Sequence, residues 1–263
     1  MSTPPQPTPS TALPQEPAQP GLSEPARIID TFVSPRKTFE DVRRNPSWIW
    51  PWLLIAIISV AFGLVAAKKL DMEQLTRQAM ERSAMAQKRM EQLTPEQRDA
   101  AVSMQAKITK VSFFLVPVFT LVAGLIIGAV LLAVFNFGFG ASVSFKHALS
   151  VTFYSFLPGV LSVILLLVSI LLSPDPNSID FASGNPIPTS PAFFMDPNGN
   201  KFLYSLVTRF DIINFWQIVL LGLGFAVVSS VGRKKIAPST AITTVFVLYF
   251  IAALVRAGFA SAF

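Results

Sequence analysis

The residues of this sequence that could do chemistry are few, and three of them stand at the start of one apolar run. Asp211, Asn214 and Gln217 follow each other at intervals of three, so one face of a helix would carry all three. A carboxylate beside two amides is typical of a polar site for an ion or a small solute in a membrane protein. Tyr154 and Pro158, in an earlier apolar run, would complete this site, because an internal proline bends a helix and frees a carbonyl.

The same residues have a structural interpretation, which we prefer. Asp211 stands where a helix begins, and aspartate favours that position because it accepts backbone hydrogen bonds and matches the helix dipole. The bend at Pro158 is then ordinary bundle geometry. Under this interpretation the polar residues hold helices in place and bind no solute.

Other kinds of site find little support in the sequence. It contains no cysteine and one histidine, His147, which excludes thiol nucleophiles, disulfides and zinc sites built on several imidazoles. The common hydrolase and nucleotide-binding motifs are absent, and residues 196–200 resemble a calcium loop only superficially, because Gly199 is misplaced. We therefore expect no catalytic residue, no cofactor and no metal site, and interpret His147 as a headgroup or helix-capping contact.

Long apolar blocks define the organisation of the chain. Of its 263 residues, 52% are hydrophobic and 14% are charged, whereas soluble domains average about a quarter charged residues. About 20 apolar helical residues cross a hydrocarbon core of roughly 30 Å. These blocks predict an all-α integral membrane bundle of five transmembrane helices with an extramembrane helical hairpin. The predicted spans are residues 48–67, 112–136, 148–173, 212–232 and 238–256.

The amino-terminal part of the chain precedes the first span and has two sections. Residues 1–25 contain eight prolines and neither Lys nor Arg, which predicts a disordered tail. Residues 26–47 alternate apolar and basic faces, which predicts two amphipathic helices, the second starting at Ser34-Pro35. These helices would lie on an anionic leaflet, pack on the membrane domain, or do both.

Two further segments lie between the spans. Residues 70–110 are charged and helix-prone, and predict a hairpin of two helices with the second starting at Thr94; a dimerising coiled coil is the alternative. Residues 174–210 contain six prolines and predict an extramembrane loop.

Small residues at four-residue spacing predict close helix packing. Gly124 and Gly128 form such a step in the second span, and Gly222, Ala226 and Ser230 form another in the fourth. Such steps let two helix backbones approach each other closely. We expect the neighbour of Gly124 and Gly128 to belong to the same chain.

The distribution of Lys and Arg predicts the orientation. With residues 68–110 set aside, nine basic residues fall on the side of the N-terminus and three on the opposite side. Because basic residues favour the cytoplasmic side, we expect a cytoplasmic N-terminus and an external C-terminus. Residues 68–110, which are the hairpin and the two lysines before it, carry nine further basic residues and six acidic ones, and counting them would reverse the bias.

Three stretches, in this order, give the chain a resemblance to the Yip1 family of membrane proteins. The first is residues 32–39, followed by Asn45-Pro46 and a Trp-rich first span. The second, residues 144–151, leads into the third span, and residues 210–217 lead into the fourth. The resemblance covers residues 26–258 and implies that residues 48–258 form a five-span membrane domain. It supplies no catalytic residue.

The resemblance bears on location and partners as well. The charged hairpin is similar to bacterial members, which implies a bacterial inner membrane. The family's eukaryotic branch is associated with Rab GTPases and with traffic between endoplasmic reticulum and Golgi, a system that bacteria lack, so that partner is not carried over.

We therefore expect a non-enzymatic membrane scaffold or adaptor that acts through protein or lipid contacts. The alternative is a small solute or ion transporter or channel that uses the polar site near Asp211. The expected partners are membrane lipids, a protein not identified by the sequence, and a second copy of the chain. Nucleic acid is not expected, since no basic stretch interleaves with aromatic residues.

Overall fold

The computed structural model describes residues 21–229 and 235–262, and this part of the chain is mainly helical. Five of its helical segments are long and apolar enough to cross a membrane, which confirms the predicted all-α membrane bundle. The helices are α1 (Glu24–Val33), α2 (Pro35–Arg44), α3 (Ile49–Lys69), α4 (Met72–Glu81), α5 (Ala84–Glu91), α6 (Pro95–Ala133), α7 (Phe145–Phe156), α8 (Pro158–Leu172), α9 (Lys201–Val207), α10 (Ile212–Ser229) and α11 (Pro238–Ala262).

The amino-terminal helix begins earlier than predicted. Ser23 caps α1 by accepting a hydrogen bond from the amide of Ala26, so α1 starts within the segment predicted as a disordered tail. The sequence does contain a signal for this helix start, because Ser23-Glu24-Pro25 combines a cap residue, an acidic first turn and a proline near the helix start. Residues 1–20 of the predicted tail lie outside the described residues.

The second span and one arm of the hairpin form a single rod. Helix α6 runs without interruption from Pro95 to Ala133 and ends in a π-helical turn at Val134–Gly138. Its start has the predicted capping box: the Thr94 hydroxyl accepts from the Gln97 amide, and the Gln97 side chain accepts from the Thr94 amide.

The other arm of the hairpin differs from the prediction of one helix. It breaks between α4 and α5, where the Ser83 hydroxyl accepts from the amide of Ala86 and starts a new helix. The loop predicted at 174–210 also holds the short helix α9, capped by Asn200. Both local starts follow from serine and asparagine side chains that compete for backbone amides.

Helix α7 occupies the centre of the bundle, and its residues from Ala148 to Ser155 are all buried. It packs against α6, α10, α3 and α2. Pro158 ends this buried helix and opens α8, so the third span is two helices across one break, with Leu157 donating to the Tyr154 carbonyl. The sequence predicted a bend at this proline, and the structure has a break between two helices there.

The two glycines of the second span lie against α7 of the same chain. A Cβ on Gly124 would lie 2.4 Å from the ring of Phe153, and one on Gly128 would lie 3.4 Å from the Thr152 hydroxyl. Helices α6 and α7 can therefore approach each other this closely only because glycine has no side chain at these two positions.

The fourth span packs on the fifth through its own small residues. A Cβ on Gly222 would lie 2.4 Å from the Cα of Ile242 in α11, so the two backbones are in direct contact. Ala226, one turn further, is 4% exposed. Ser230, the last residue of this predicted stripe, lies outside the described residues.

The bundle has two ends, which we name by what they carry. The N-terminal face carries α1, α2 and the starts of α3 and α7. The hairpin face carries α4, α5 and α9. The alternating directions of the five spanning segments place these two sets at opposite ends of the bundle.

Candidate functional site

A buried ionic network joins α1 and α2 to the middle of the bundle. The Nε of Arg27 donates to Asp41 Oδ2 at 2.5 Å, and the two side chains are only 1% and 2% exposed. Nη1 of Arg27 donates to Glu24 Oε1 at 3.1 Å. The second carboxylate oxygen of Glu24 accepts from the hydroxyl of Tyr154 at 2.6 Å. Three segments of the chain therefore share one polar cluster, which we call the Arg27 network.

Hydrogen bonds between side chains and the backbone complete the polar contacts around α1 and α2, and the one from Thr38 joins the two helices. The carbonyl of Arg27 accepts from the hydroxyl of Thr31, at 2.8 Å, and from that of Thr38, at 3.1 Å. The amide of Leu22 donates to Asp41 Oδ1 at 3.1 Å. Because the buried polar atoms have partners, burial carries little of the cost that unpaired groups would incur.

The charges of the Arg27 network balance. Glu24 and Asp41 are the two anions, and Arg27 is the central cation, with Arg44 Nη2 3.7 Å from Asp41 Oδ1 as a second cation. Burial acts to lower the pKa of Arg27, but the hydrogen bond to Asp41 and the charge of Glu24 outweigh it, so that its pKa is raised. The guanidinium is therefore firmly protonated.

Apolar packing and a histidine complete the attachment of α2. Phe39 and Val42 are fully buried, and the Phe39 ring would contact a Cβ at Gly224 of α10 at 2.9 Å. Nε2 of His147 lies 3.0 Å from the Arg43 carbonyl, and its Nδ1 lies 2.7 Å from the Ser144 hydroxyl. A carbonyl only accepts, so Nε2 carries the proton.

The opposite side of the same helix pair points away from the bundle. Ile29 and Val33, one turn apart on α1, are 62% and 71% exposed. Arg36 and Lys37 follow on α2, with side chains 78% and 60% exposed, and each forms an ion pair of 2.9 Å, with Glu40 and Asp30 respectively. We call Ile29, Val33, Arg36 and Lys37 the outward face. An exposed apolar pair beside basic residues is typical of a surface that meets a protein or a lipid leaflet.

The residues predicted to form a polar site do not share one set of partners. Tyr154 belongs to the Arg27 network. Asp211 caps α10: its Oδ1 accepts from the amides of Ile213, at 2.8 Å, and Asn214, at 3.3 Å. The other oxygen of Asp211 accepts from the hydroxyl of Thr189. Its carboxylate thus plays the structural role described for a helix cap.

Gln217 and Pro158 are the two members that the structure brings together. Nε2 of Gln217 donates at 3.3 Å to the carbonyl of Phe156, immediately before the proline break. A Cβ at Gly159 would lie 2.9 Å from that nitrogen. Asn214 lies half-buried on the first turn of α10. Gln217 therefore satisfies a backbone acceptor that the break leaves without its helical partner.

The sequence did not predict the Arg27 network. Glu24 and Arg27 are one turn apart, which suggests a pair, but Asp41 is 14 residues and Tyr154 is 130 residues from its partner. The only sequence signal was Arg27 on a segment whose other face is apolar. Such a cation needs an anion if its helix is buried.

Metal binding has no support in the described residues. No group of three His, Asp or Glu side chains there is placed to hold an ion. What the Arg27 network can do, given its fixed charges and its burial, is hold one helix pair against the bundle.

The fold and this attachment define a class, an α-helical multi-pass membrane protein with a docked amino-terminal helix pair. Comparison with known families gives a further result, since the Yip1 domain model matches residues 29–255. The chain belongs to the Yip1 family, as the resemblance of its sequence implied. No curated protein and no solved structure matches the chain.

Proposed function

We propose that this protein is a non-enzymatic membrane scaffold or adaptor that displays the outward face of α1 and α2. The observation that carries this proposal is the Arg27 network. Buried charges join the helix pair to the bundle, and we infer that this network specifies one geometry of the pair more than it adds stability. A surface held in one orientation is what a binding protein needs.

The chemistry of the outward face suits either a protein or a lipid leaflet. Ile29 and Val33 supply apolar contacts. Arg36 and Lys37 are paired with Glu40 and Asp30 at 2.9 Å, and they would exchange these partners for acidic side chains or anionic headgroups. We propose a protein as the partner of the outward face. If no protein partner is found, the outward face binds the lipid leaflet instead.

We also propose a location and an orientation. The similarity of the charged hairpin to bacterial members supports a bacterial inner membrane. The basic residues around α2 and the start of α7 support a cytoplasmic N-terminal face.

The transporter alternative has less support than the adaptor. Its central residue, Asp211, has both carboxylate oxygens engaged by backbone amides and by Thr189. Tyr154 and Gln217 are likewise occupied in joining helices. These groups would have to exchange partners before they could coordinate a solute.

Affinity purification from mild detergent, followed by mass spectrometry, tests the adaptor. The full-length protein is compared with the double variant Ile29→Asp, Val33→Asp and with Phe194→Asp, a matched control at a residue that is 83% exposed in the loop between α8 and α9. We expect a reproducible protein partner that only the double variant loses. Identical sets of proteins from all three, or recovery of a bound ion or solute alone, would contradict the adaptor.

A further inference from the structure

An open apolar groove lies between α4, α5 and α6 on the hairpin face. Its volume is about 900 Å³, within the roughly 300–1,000 Å³ of small-molecule sites. Four methionines line it, namely Met80, Met85, Met90 and Met104. Methionine side chains are flexible and polarizable, so they adapt to an occupant of variable shape.

One apolar stripe of α6 leads from the membrane span into this groove. Met104, Ile108, Val111 and Leu115 follow each other at intervals of three or four, and are 66%, 50%, 56% and 42% exposed. The same spacing continues into the span at Val118. One face of the helix therefore contacts lipid chains in the bilayer and lines the groove beyond it. A hydrocarbon chain can follow this apolar surface without a break.

One arginine at the groove, Arg89, has no ionic partner among the described residues. Arg89 lines it and is exposed. Two other arginines of the hairpin are paired, Arg77 with Asp99 at 3.0 Å and Arg82 with Asp180 at 2.7 Å. Arg89 forms no ion pair with any residue that the structure describes. Its guanidinium is thus available to an anionic group on a molecule in the groove.

We propose that this groove binds a single fatty acyl chain that carries an anionic headgroup. The chain lies on the methionines and on Ile108, and the carboxylate or phosphate is held by Arg89. A lipid is favoured over a helix of another protein because the groove continues the lipid-facing stripe of α6. The site lies on the opposite end of the bundle from the outward face, and it goes beyond the adaptor function.

Photo-crosslinking with a fatty acid tests the proposal. The full-length protein is placed in nanodiscs of phosphatidylethanolamine and phosphatidylglycerol with palmitic acid that carries a mid-chain diazirine. After irradiation, the labelled residues are mapped by mass spectrometry. We expect adducts on α5, which lies outside the candidate spans, in addition to adducts on the spans. Span adducts serve as the internal reference.

Three variants and a modified probe sharpen the test. Arg89→Gln should lower the yield of α5 adducts about twofold to fivefold, the range for losing an ion pair at an exposed site. Lys88→Gln removes the same charge from a residue that does not line the groove, and should leave the yield unchanged. Ala86→Trp should fill the groove and remove α5 adducts, and the methyl ester of the probe should not distinguish Arg89→Gln from the parent.

Three results would overturn the proposal. The first is adducts confined to the spans in the parent protein. The second is an α5 yield that Arg89→Gln does not change; this variant is decisive because an exposed side chain can be replaced without unfolding the hairpin. The third is a crosslink from α5 to a second protein chain in place of a lipid adduct.

Discussion

Replacing Arg27 by methionine should detach α1 and α2 from the bundle. The substitution keeps a long side chain but leaves Asp41, at 2% exposure, without its main cation. Breaking a buried ion pair from one side costs about 3–5 kcal/mol. The low end applies here, because Asp41 keeps the amide of Leu22 at 3.1 Å and Arg44 at 3.7 Å.

Thiol accessibility measures this detachment directly. The chain has no cysteine, so Val42→Cys introduces one thiol at a position that is fully buried in α2. Since 1.4 kcal/mol corresponds to a factor of ten, a loss of about 3 kcal/mol raises the open population by about a hundredfold. In membrane vesicles, maleimide labelling should accelerate by the same factor when opening and closing are fast.

Two further variants decide whether the charge network is the cause. Arg36→Met removes an arginine that is 78% exposed, and should leave the labelling rate as it was. Adding Asp41→Asn to Arg27→Met removes the unpaired charge, and should bring the rate back toward that of the parent. If Arg27→Met labels no faster than Arg36→Met, the Arg27 network does not hold the helix pair.

Substitutions at Gly222, Asp211 and Gln217, with Gly138→Ala as a control, test the packing and the polar residues of the spans by thermal unfolding in detergent. Gly222→Ala places a Cβ 2.4 Å from the Ile242 backbone and should cost about 1–3 kcal/mol, whereas Gly138→Ala meets nothing within 4 Å and should cost far less; equal losses would contradict the packing of α10 on α11. Asp211→Ala should cost about 0.5–2 kcal/mol and Asp211→Asn much less, because asparagine also caps helices; a solute or ion flux into liposomes that Asp211→Asn abolishes would instead support the transporter. Gln217→Leu should cost about 0.6 kcal/mol, the average for hydrogen bonds between membrane helices, and a loss of several kcal/mol would show a larger role than support of the proline break.

The spans were predictable because each depends on a local property of the sequence. An apolar run of about 20 residues has one stable solution in a bilayer, a helix. The break at Pro158 and the capping box at Thr94 follow equally from local chemistry. For the same reason the small-residue steps at Gly124 and Gly222 indicated close packing, although the partner helix was found only in the structure.

The Arg27 network could not be predicted, because its members are far apart in the sequence. Glu24 stood in a proline-rich segment, and Tyr154 stood in an apolar run where it suggested a solute site. Only the fold brings the hydroxyl of Tyr154 to the first turn of α1. The break at Ser83 was missed for a different reason. Apolar residues keep a helical spacing on both sides of it, namely Leu75, Ala79, Ala86 and Met90, and periodicity alone does not reveal a cap.

Photo-crosslinking from the outward face tests the central claim most directly. A photoreactive amino acid is placed at Val33, which is 71% exposed, or at Phe39, which is fully buried, and cells are irradiated before membranes are prepared. We expect a reproducible protein adduct from position 33, none from position 39, and loss of the adduct in Arg27→Met. Adducts with lipid alone, or a protein adduct that Arg27→Met leaves unchanged, would contradict an adaptor that displays a docked helix pair.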